Sequence, residues 1–199
     1  MEALNPRFES ALLAFDAANA QDPKKEVWEG VETPYELLYS RWMTEWVRKL
    51  NPNPSEALLL AARCQHLRRW EIPRTNYEPG RIGYLKWRKF LYQYHADKAG
   101  EILREVGYPE ETIRKVQDIN LKKSMKDPDT QTIEDALCLV FLEYQLSDFL
   151  KKTPPEKMPG IIKKSWDKMS PRARDFALQL PFSKQARSLI EKSLSGSPS

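Results

Sequence analysis

Apolar residues recur along most of the chain with the period of an α-helix. In TPYELLYSRWMTEWVRKL, residues 33–50, they fall at every fourth position and share one helix face: Leu38, Trp42, Trp46 and Leu50. NPSEALLLAARCQHLRRW, residues 53–70, is apolar almost all round, as a central buried helix is. No stretch shows a convincing period of two, which a half-buried strand requires. The pattern predicts an all-α fold of about eight or nine helices.

Local sequence signals predict several helix ends. Asn5 is predicted to cap a helix that begins at Pro6, where a proline costs no backbone hydrogen bond. Thr33 and Glu36 have the spacing of a capping box. Further ends are predicted at the N-cap residues Asn53, Ser170 and Ser183 and at the C-cap residue Gly107.

Proline-rich breaks divide the chain into four segments. Residues 1–30 form an N-terminal helix and connector, and residues 31–152 form the helical core. After Pro154 and Pro155, residues 153–194 are predicted to form a C-terminal extension of three short, basic helices. Residues 195–199, SGSPS, are predicted to be a disordered tail.

Composition limits the class of protein. Hydrophobic residues make up 41% and charged residues 30%, which is typical of a soluble globular chain. The net charge of +4 is too small for nucleic-acid binding over the whole surface, so a basic site must be local. No apolar run is long enough to cross a bilayer, so no membrane partner is predicted. Cys64 and Cys138 lie in apolar runs without zinc spacing, which favours a reducing, cytoplasmic location.

A basic and aromatic segment surrounds the first of the two histidines and continues to residue 89. Eight basic residues and two acidic ones lie between residues 63 and 89. Arginine forks bind phosphate, and aromatic faces stack on bases, so this segment is a candidate anion-binding site. The other interpretation makes the aromatics core residues and the arginines solvated or paired. The candidate anion-binding residues are Arg68, Arg69, Trp70, Arg74, Arg81, Lys86 and Arg88.

The chain has few residues that suit catalysis or metal binding. His66 and His95 lie on separate predicted helices, and Glu134 and Asp135 are adjacent acids before an apolar run. Two imidazoles and a carboxylate from a third helix are a common metal-ligand set. Each residue also has an ordinary structural interpretation: a histidine that packs with a local hydrogen bond, or acids that complement a helix dipole. The hydrophobic periodicity alone does not decide between the metal-binding role and the structural role of these residues.

Three phrases of the sequence resemble one family. AARCQHLRRWEIPR, GYLKWRKFLYQYHADKAGEILREVGY and QTIEDALCLVFLE are similar to the domain-of-unknown-function family 4202. The resemblance extends from about Pro34 to Phe182.

The order of the phrases also resembles, more distantly, the HD-type metal-dependent phosphohydrolases, an all-α superfamily. This resemblance implies an HD-like core in which His66, His95 and Asp135 hold a single divalent metal ion and Glu134 acts as the general base. Tyr39 stands where the superfamily has a histidine. It is then expected to contact the substrate or anion and not the metal. Leu67 replaces the aspartate that would bridge two metals.

Two functions follow as expectations. The first is a metal-dependent hydrolase of a phosphorylated or nucleotide-like small molecule, with the arginines holding phosphate. The second is a non-catalytic module that binds an anionic ligand or RNA through the basic loop 68–89, which the departures at Tyr39 and Leu67 favour. A third interpretation makes the C-terminal basic helices a docking surface for a protein partner. If His66 and His95 share a site, their rings must approach each other.

Overall fold

Ten α-helices build most of residues 5–195, the part of the chain that the computed structural model describes. The prediction of an all-α fold is confirmed. The number of helices exceeds the predicted eight or nine because a π-helical turn, Phe141–Gln145, divides the helical segment 128–152 into two α-helices. The chain forms two compact units. The first comprises the described residues up to Ile133, and the second begins at Glu134.

The first unit is built around a short central helix. α3 buries every residue from Ala57 to Ala62 and contacts α1, α2 and α5, as its apolar sequence predicts. α4 runs beside α5 and contacts α1. The bounds of these helices are α1 Pro6–Asn19, α2 Tyr35–Leu50, α3 Glu56–Arg63, α4 Gly80–Glu105 and α5 Glu110–Asn120, after which α6 Pro128–Val140 begins.

A small β-hairpin precedes α2. β1 Lys25–Trp28 pairs antiparallel with β2 Val31–Pro34. The two turn residues, Glu29 and Gly30, have φ values of 50° and 81°, as a two-residue hairpin turn requires. The expectation that no strands occur is wrong here. Because most of the hairpin is exposed on both faces, its residues show no alternation of apolar and polar positions.

The predicted helix caps are confirmed in part. The side chain of Asn5 accepts a hydrogen bond from the Arg7 amide at 3.1 Å, and Pro6 begins α1. The capping box at Thr33 is wrong. The Asp22 carboxylate instead accepts from the Glu36 amide at 3.0 Å, which leaves the Glu36 side chain to face the interior. Two residues after Asn53, Ser55 caps α3 by accepting from the Leu58 amide at 3.1 Å.

Four helices follow α6 in the second unit, within the residues up to 195 that the structure describes. They are α7 Leu146–Lys152, α8 Met158–Lys168, α9 Pro171–Leu178 and α10 Lys184–Ser195. Ser170 and Ser183 act as the predicted N-caps, accepting from the amides of Ala173 and Ala186 at 3.2 Å each. Apart from Ser195, the predicted tail 195–199 lies outside the described residues. Across residues 5–195, no helix combines the length and apolar character that a bilayer span requires.

Candidate functional site

The two histidines of the chain lie side by side in the first unit. His66 follows α3 in a short turn, and His95 lies in the middle of α4. Their ring centroids are 5.9 Å apart, with an angle of 35° between the planes. This meets the requirement that two histidines of one site approach each other. Together with their immediate neighbours they form the histidine cluster: Glu36, Tyr39, His66, Arg69 and His95.

His66 is held on three sides. Its ring stacks on that of Tyr39, with centroids 3.9 Å apart. Nε2 lies 3.2 Å from Nη1 of Arg69, and Nδ1 lies 3.2 Å from Oε2 of Glu36. Because a guanidinium only donates hydrogen bonds, Nε2 is the acceptor, and the imidazole proton is on Nδ1 facing Glu36. His66 is thereby fixed in one orientation and one tautomer.

His95 has a different arrangement. Nδ1 lies 2.9 Å from the backbone oxygen of Leu67, which is an acceptor, so Nδ1 carries the proton and donates it. Nε2 therefore carries a lone pair. The side chain is only 3% exposed, and Nε2 has no hydrogen-bond partner among residues 5–195. The structure thus places a buried, oriented and unused acceptor next to His66.

The cluster has unusual protonation states. Burial raises the pKa of Glu36 to about 7, against the opposing effect of Arg69 and Lys24. Burial lowers the pKa of His95 to about 3, and it also lowers that of His66, with further contributions from Arg69, Lys122 and Arg88. At neutral pH both imidazoles are therefore uncharged, while Glu36 is close to its midpoint.

Two arginines supply positive charge beside the histidines. The Arg69 guanidinium lies over the Trp87 ring, 4.7 Å from its centroid. Within the described part of the chain, no carboxylate lies within ion-pair distance of Arg69, so its charge is not neutralised by a direct partner. Arg88 donates to the Tyr92 hydroxyl and lies 5.4 Å from the centroid of that ring.

The other residues predicted to bind anions have different surroundings. Arg68, at a φ of 54°, pairs with Glu71 at 2.5 Å. Arg74 donates to the backbone oxygens of Tyr77, Glu78 and Gly80 at 2.9, 2.7 and 3.2 Å, and so holds the loop before α4 in shape. Three further candidates contribute side chains to the surface of this region: half-buried Trp70 and exposed Arg81 and Lys86.

Glu134 and Asp135 belong to the second unit, where both are buried. Glu134 accepts a hydrogen bond from Lys168 Nζ at 2.8 Å. Asp135 accepts from the amide and the hydroxyl of Ser170, at 2.8 and 2.6 Å. Among the residues described, no group of three or more histidine, cysteine, aspartate or glutamate side chains has the arrangement of a metal site.

The family match covers nearly the whole chain. The family described as a domain of unknown function (DUF4202) matches residues 9–190. The chain belongs to this family. The matched segment includes all five residues of the histidine cluster as well as Glu134 and Asp135. No curated protein and no solved structure matches the chain.

Sequence reasoning missed Glu36 as a member of the cluster. Its position near the start of α2 suggested a capping role, which Asp22 fills instead. A signal was nevertheless present. Glu36 precedes Tyr39 by three positions, so the two share a helix face, and the resemblance places Tyr39 in the site.

Proposed function

We propose that the first unit of this chain binds a phosphorylated, nucleotide-like small molecule at the histidine cluster. The observation that carries the proposal is Arg69, whose guanidinium has no direct carboxylate partner among residues 5–195 and lies against Trp87 and His66. The N–H groups of Arg69 that do not contact His66 can donate hydrogen bonds to a phosphate. The Trp87 ring beneath the planar guanidinium holds it in position.

The cations that act on His66 favour an anionic ligand. His66 and His95 stay uncharged at neutral pH, and the charges that act on His66 are those of Arg69, Lys122 and Arg88. A bound anion would reduce the repulsion among these cations. The unused Nε2 of His95 would accept a hydrogen bond from a ligand hydroxyl, as a sugar or a monoprotonated phosphate provides.

Calorimetric titration of the full chain tests the proposal. The panel contains inorganic phosphate, nucleoside mono-, di- and triphosphates, sugar phosphates and a single-stranded RNA oligonucleotide. We expect at least one phosphorylated small molecule to bind. Arg69→Gln should weaken that binding about tenfold or more, as expected when a charged hydrogen bond of about 1.5–3 kcal/mol is lost. Arg69→Lys should have an intermediate effect because it keeps the charge without the fork.

Arg41→Gln is the matched control, since Arg41 is an exposed arginine on α2. It should bind like the wild type. If no phosphorylated small molecule binds, or if the Arg41 and Arg69 variants lose affinity equally, the proposal is wrong. If only RNA binds, with a steep salt dependence, the site is a nucleic-acid surface instead.

A second candidate function, a single-metal phosphohydrolase, is favoured by His95. Metal-bound histidines commonly donate their other ring N–H to a backbone oxygen, as His95 does to Leu67, and they present a free lone pair. His95 and Glu36 would be ligands from the first unit. His66 would join them only if Arg69 moved from Nε2. A bound ion would supply an activated water molecule and polarise the phosphoester.

Metal analysis of the purified chain and a phosphoester screen test this candidate. We expect stoichiometric binding of manganese, iron, nickel or zinc by the wild type, and loss of that binding in His95→Gln. Glu134→Gln, which changes the expected general base, should retain the metal and lose turnover. Trace metal only, with no turnover after metal addition, would exclude this function and leave the binding proposal intact.

A further inference from the structure

One face of α4 exposes large apolar side chains to solvent. Ile82 is 69% exposed, Leu85 52% and Phe90 47%. The same helix buries Trp87, Leu91 and His95, so its apolar core face is already satisfied by packing. Ile82 and Leu85 are three positions apart and therefore adjacent on the helix surface.

Positive charge surrounds these side chains. Arg81, Lys86 and Lys89 are exposed on the same turns of α4, and within the described residues none of the three has an ion-pair partner. Residues 79–96 contain no acidic residue. The next acidic residue along α4 is Asp97, which accepts a hydrogen bond from Gln93 at 2.8 Å. The basic stretch ends before it. These residues form the α4 patch: Arg81, Ile82, Leu85, Lys86, Lys89 and Phe90.

We propose that the α4 patch docks an acidic amphipathic helix of a protein partner. Ile82, Leu85 and Lys89 follow the three- and four-residue spacing by which one helix packs along another. The apolar pair would accept the apolar stripe of the partner, and the three cations would face carboxylates on its flanks. This site is separate from the histidine cluster and does not depend on the function proposed for it.

The composition of the patch argues against other occupants. A second copy of the same patch would bring three unpaired cations against three more, which is unfavourable. A bilayer would cover a wide surface, whereas the basic and apolar stretch is confined to about three helix turns.

Fluorescence anisotropy with the full chain tests the docking site. The probe is a labelled, designed helical peptide with leucines at positions i, i+3 and i+7 and glutamates on both flanks. We expect saturable binding that weakens as salt is added. The double variants Ile82→Glu/Leu85→Glu and Lys86→Glu/Lys89→Glu should each weaken binding about tenfold or more.

Two controls match these variants. Leu13→Glu changes an exposed leucine of α1, and Arg41→Glu reverses an exposed charge of α2. Both should bind the probe like the wild type. Because every substituted side chain is exposed, all variants should fold, which circular dichroism checks.

Three results would overturn the docking proposal. The first is the absence of saturable peptide binding, or equal binding of a peptide with lysine in place of each glutamate. The second is unchanged binding by both double variants. The third is a failure of the peptide to bind while phosphatidylserine vesicles, RNA or a second copy of the chain bind the wild type and not the variants.

Discussion

The imidazole of His66 lies flat on the phenol ring of Tyr39, with centroids 3.9 Å apart and only 7° between the planes. Tyr39 is on α2 and His66 in the turn after α3, so the contact joins two elements that are 27 positions apart in the sequence. The contact fixes the His66 plane, while the contact between Arg69 and Nε2 fixes its rotation.

This contact predicts different costs for two substitutions of Tyr39. Tyr39→Ala removes a buried ring and should lower the free energy of unfolding by about 3–5 kcal/mol. Tyr39→Phe keeps the stack and should cost about 1 kcal/mol for the hydroxyl. Urea denaturation measures both. The exposed Leu13→Ala should change stability by no more than about 0.5 kcal/mol. Equal costs for the Phe and Ala variants would show that the hydroxyl, and not the stack, holds the contact.

Glu36 predicts a pH dependence of stability. Its pKa is about 7 in the folded chain, against 4.5 as the ordinary value. The folded state therefore binds the proton more tightly than the unfolded state, and the contribution of Glu36 to stability is fully present below pH 4.5 and is lost as the pH rises to about 7. Relative to Glu36→Gln, which does not titrate, the wild type should lose about 3 kcal/mol over this range.

Unfolding free energies of both proteins, measured from pH 4.5 to pH 8, test this expectation. The histidines have the opposite effect, since their lowered pKa values make the folded state lose stability as the pH falls below 6.5. They are present in both proteins, so the difference between the two curves reports Glu36 together with its effect on His66, whose Nδ1 lies 3.2 Å from Oε2 of Glu36. Parallel curves would mean that folding does not raise the pKa of Glu36.

Residues with local roles could be read from the sequence, and residues with tertiary roles could not. Asn5 and Ser170 cap their helices because an N-cap bonds to an amide two or three positions away. Glu36 had the same kind of local signal, but the chain folds Asp22 onto the start of α2 from 14 positions away. No local pattern encodes that contact.

The order of the helices and the family resemblance predicted that the two histidines lie together. The residue types between positions 63 and 89 predicted the basic segment. Composition could not show that Arg74 bonds to the backbone whereas Arg69 has no carboxylate partner in the described part of the chain, because both lie in the same loop with similar neighbours in sequence. The difference arises from the path of residues 68–80, which the two 3₁₀ turns Arg69–Glu71 and Arg74–Asn76 determine.

Asp135 predicts an energetic coupling to Ser170. Its carboxylate accepts from both the amide and the hydroxyl of Ser170, the residue that caps α9. Asp135→Ala should lower the unfolding free energy by about 2–4 kcal/mol, and Ser170→Ala by about 1 kcal/mol. The double variant should cost less than the sum, with a coupling of up to about 1 kcal/mol, because Ser170→Ala removes only the hydroxyl bond.

Thermal unfolding with and without added metal separates this structural role from the ligand role that the resemblance implies for Asp135. If Asp135 only holds Ser170, manganese or zinc should change the Tm of the wild type and of Asp135→Ala by the same amount. If added metal raises the Tm of the wild type but not that of Asp135→Ala, Asp135 is a metal ligand. A cost of Asp135→Ala near zero would contradict the coupling itself.

Arg74 should behave as a structural residue in spite of its place among the basic residues. Its guanidinium donates to three backbone oxygens of the segment that leads into α4, and all of those bonds are lost in Arg74→Gln. We expect a cost of about 1–3 kcal/mol in unfolding free energy, together with faster amide hydrogen exchange across residues 74–80. Arg68→Gln, which breaks a surface pair with Glu71, should cost at most about 1 kcal/mol. If instead Arg74→Gln leaves stability and hydrogen exchange unchanged, the loop does not depend on these bonds. Arg74 would then again be a candidate for binding an anion.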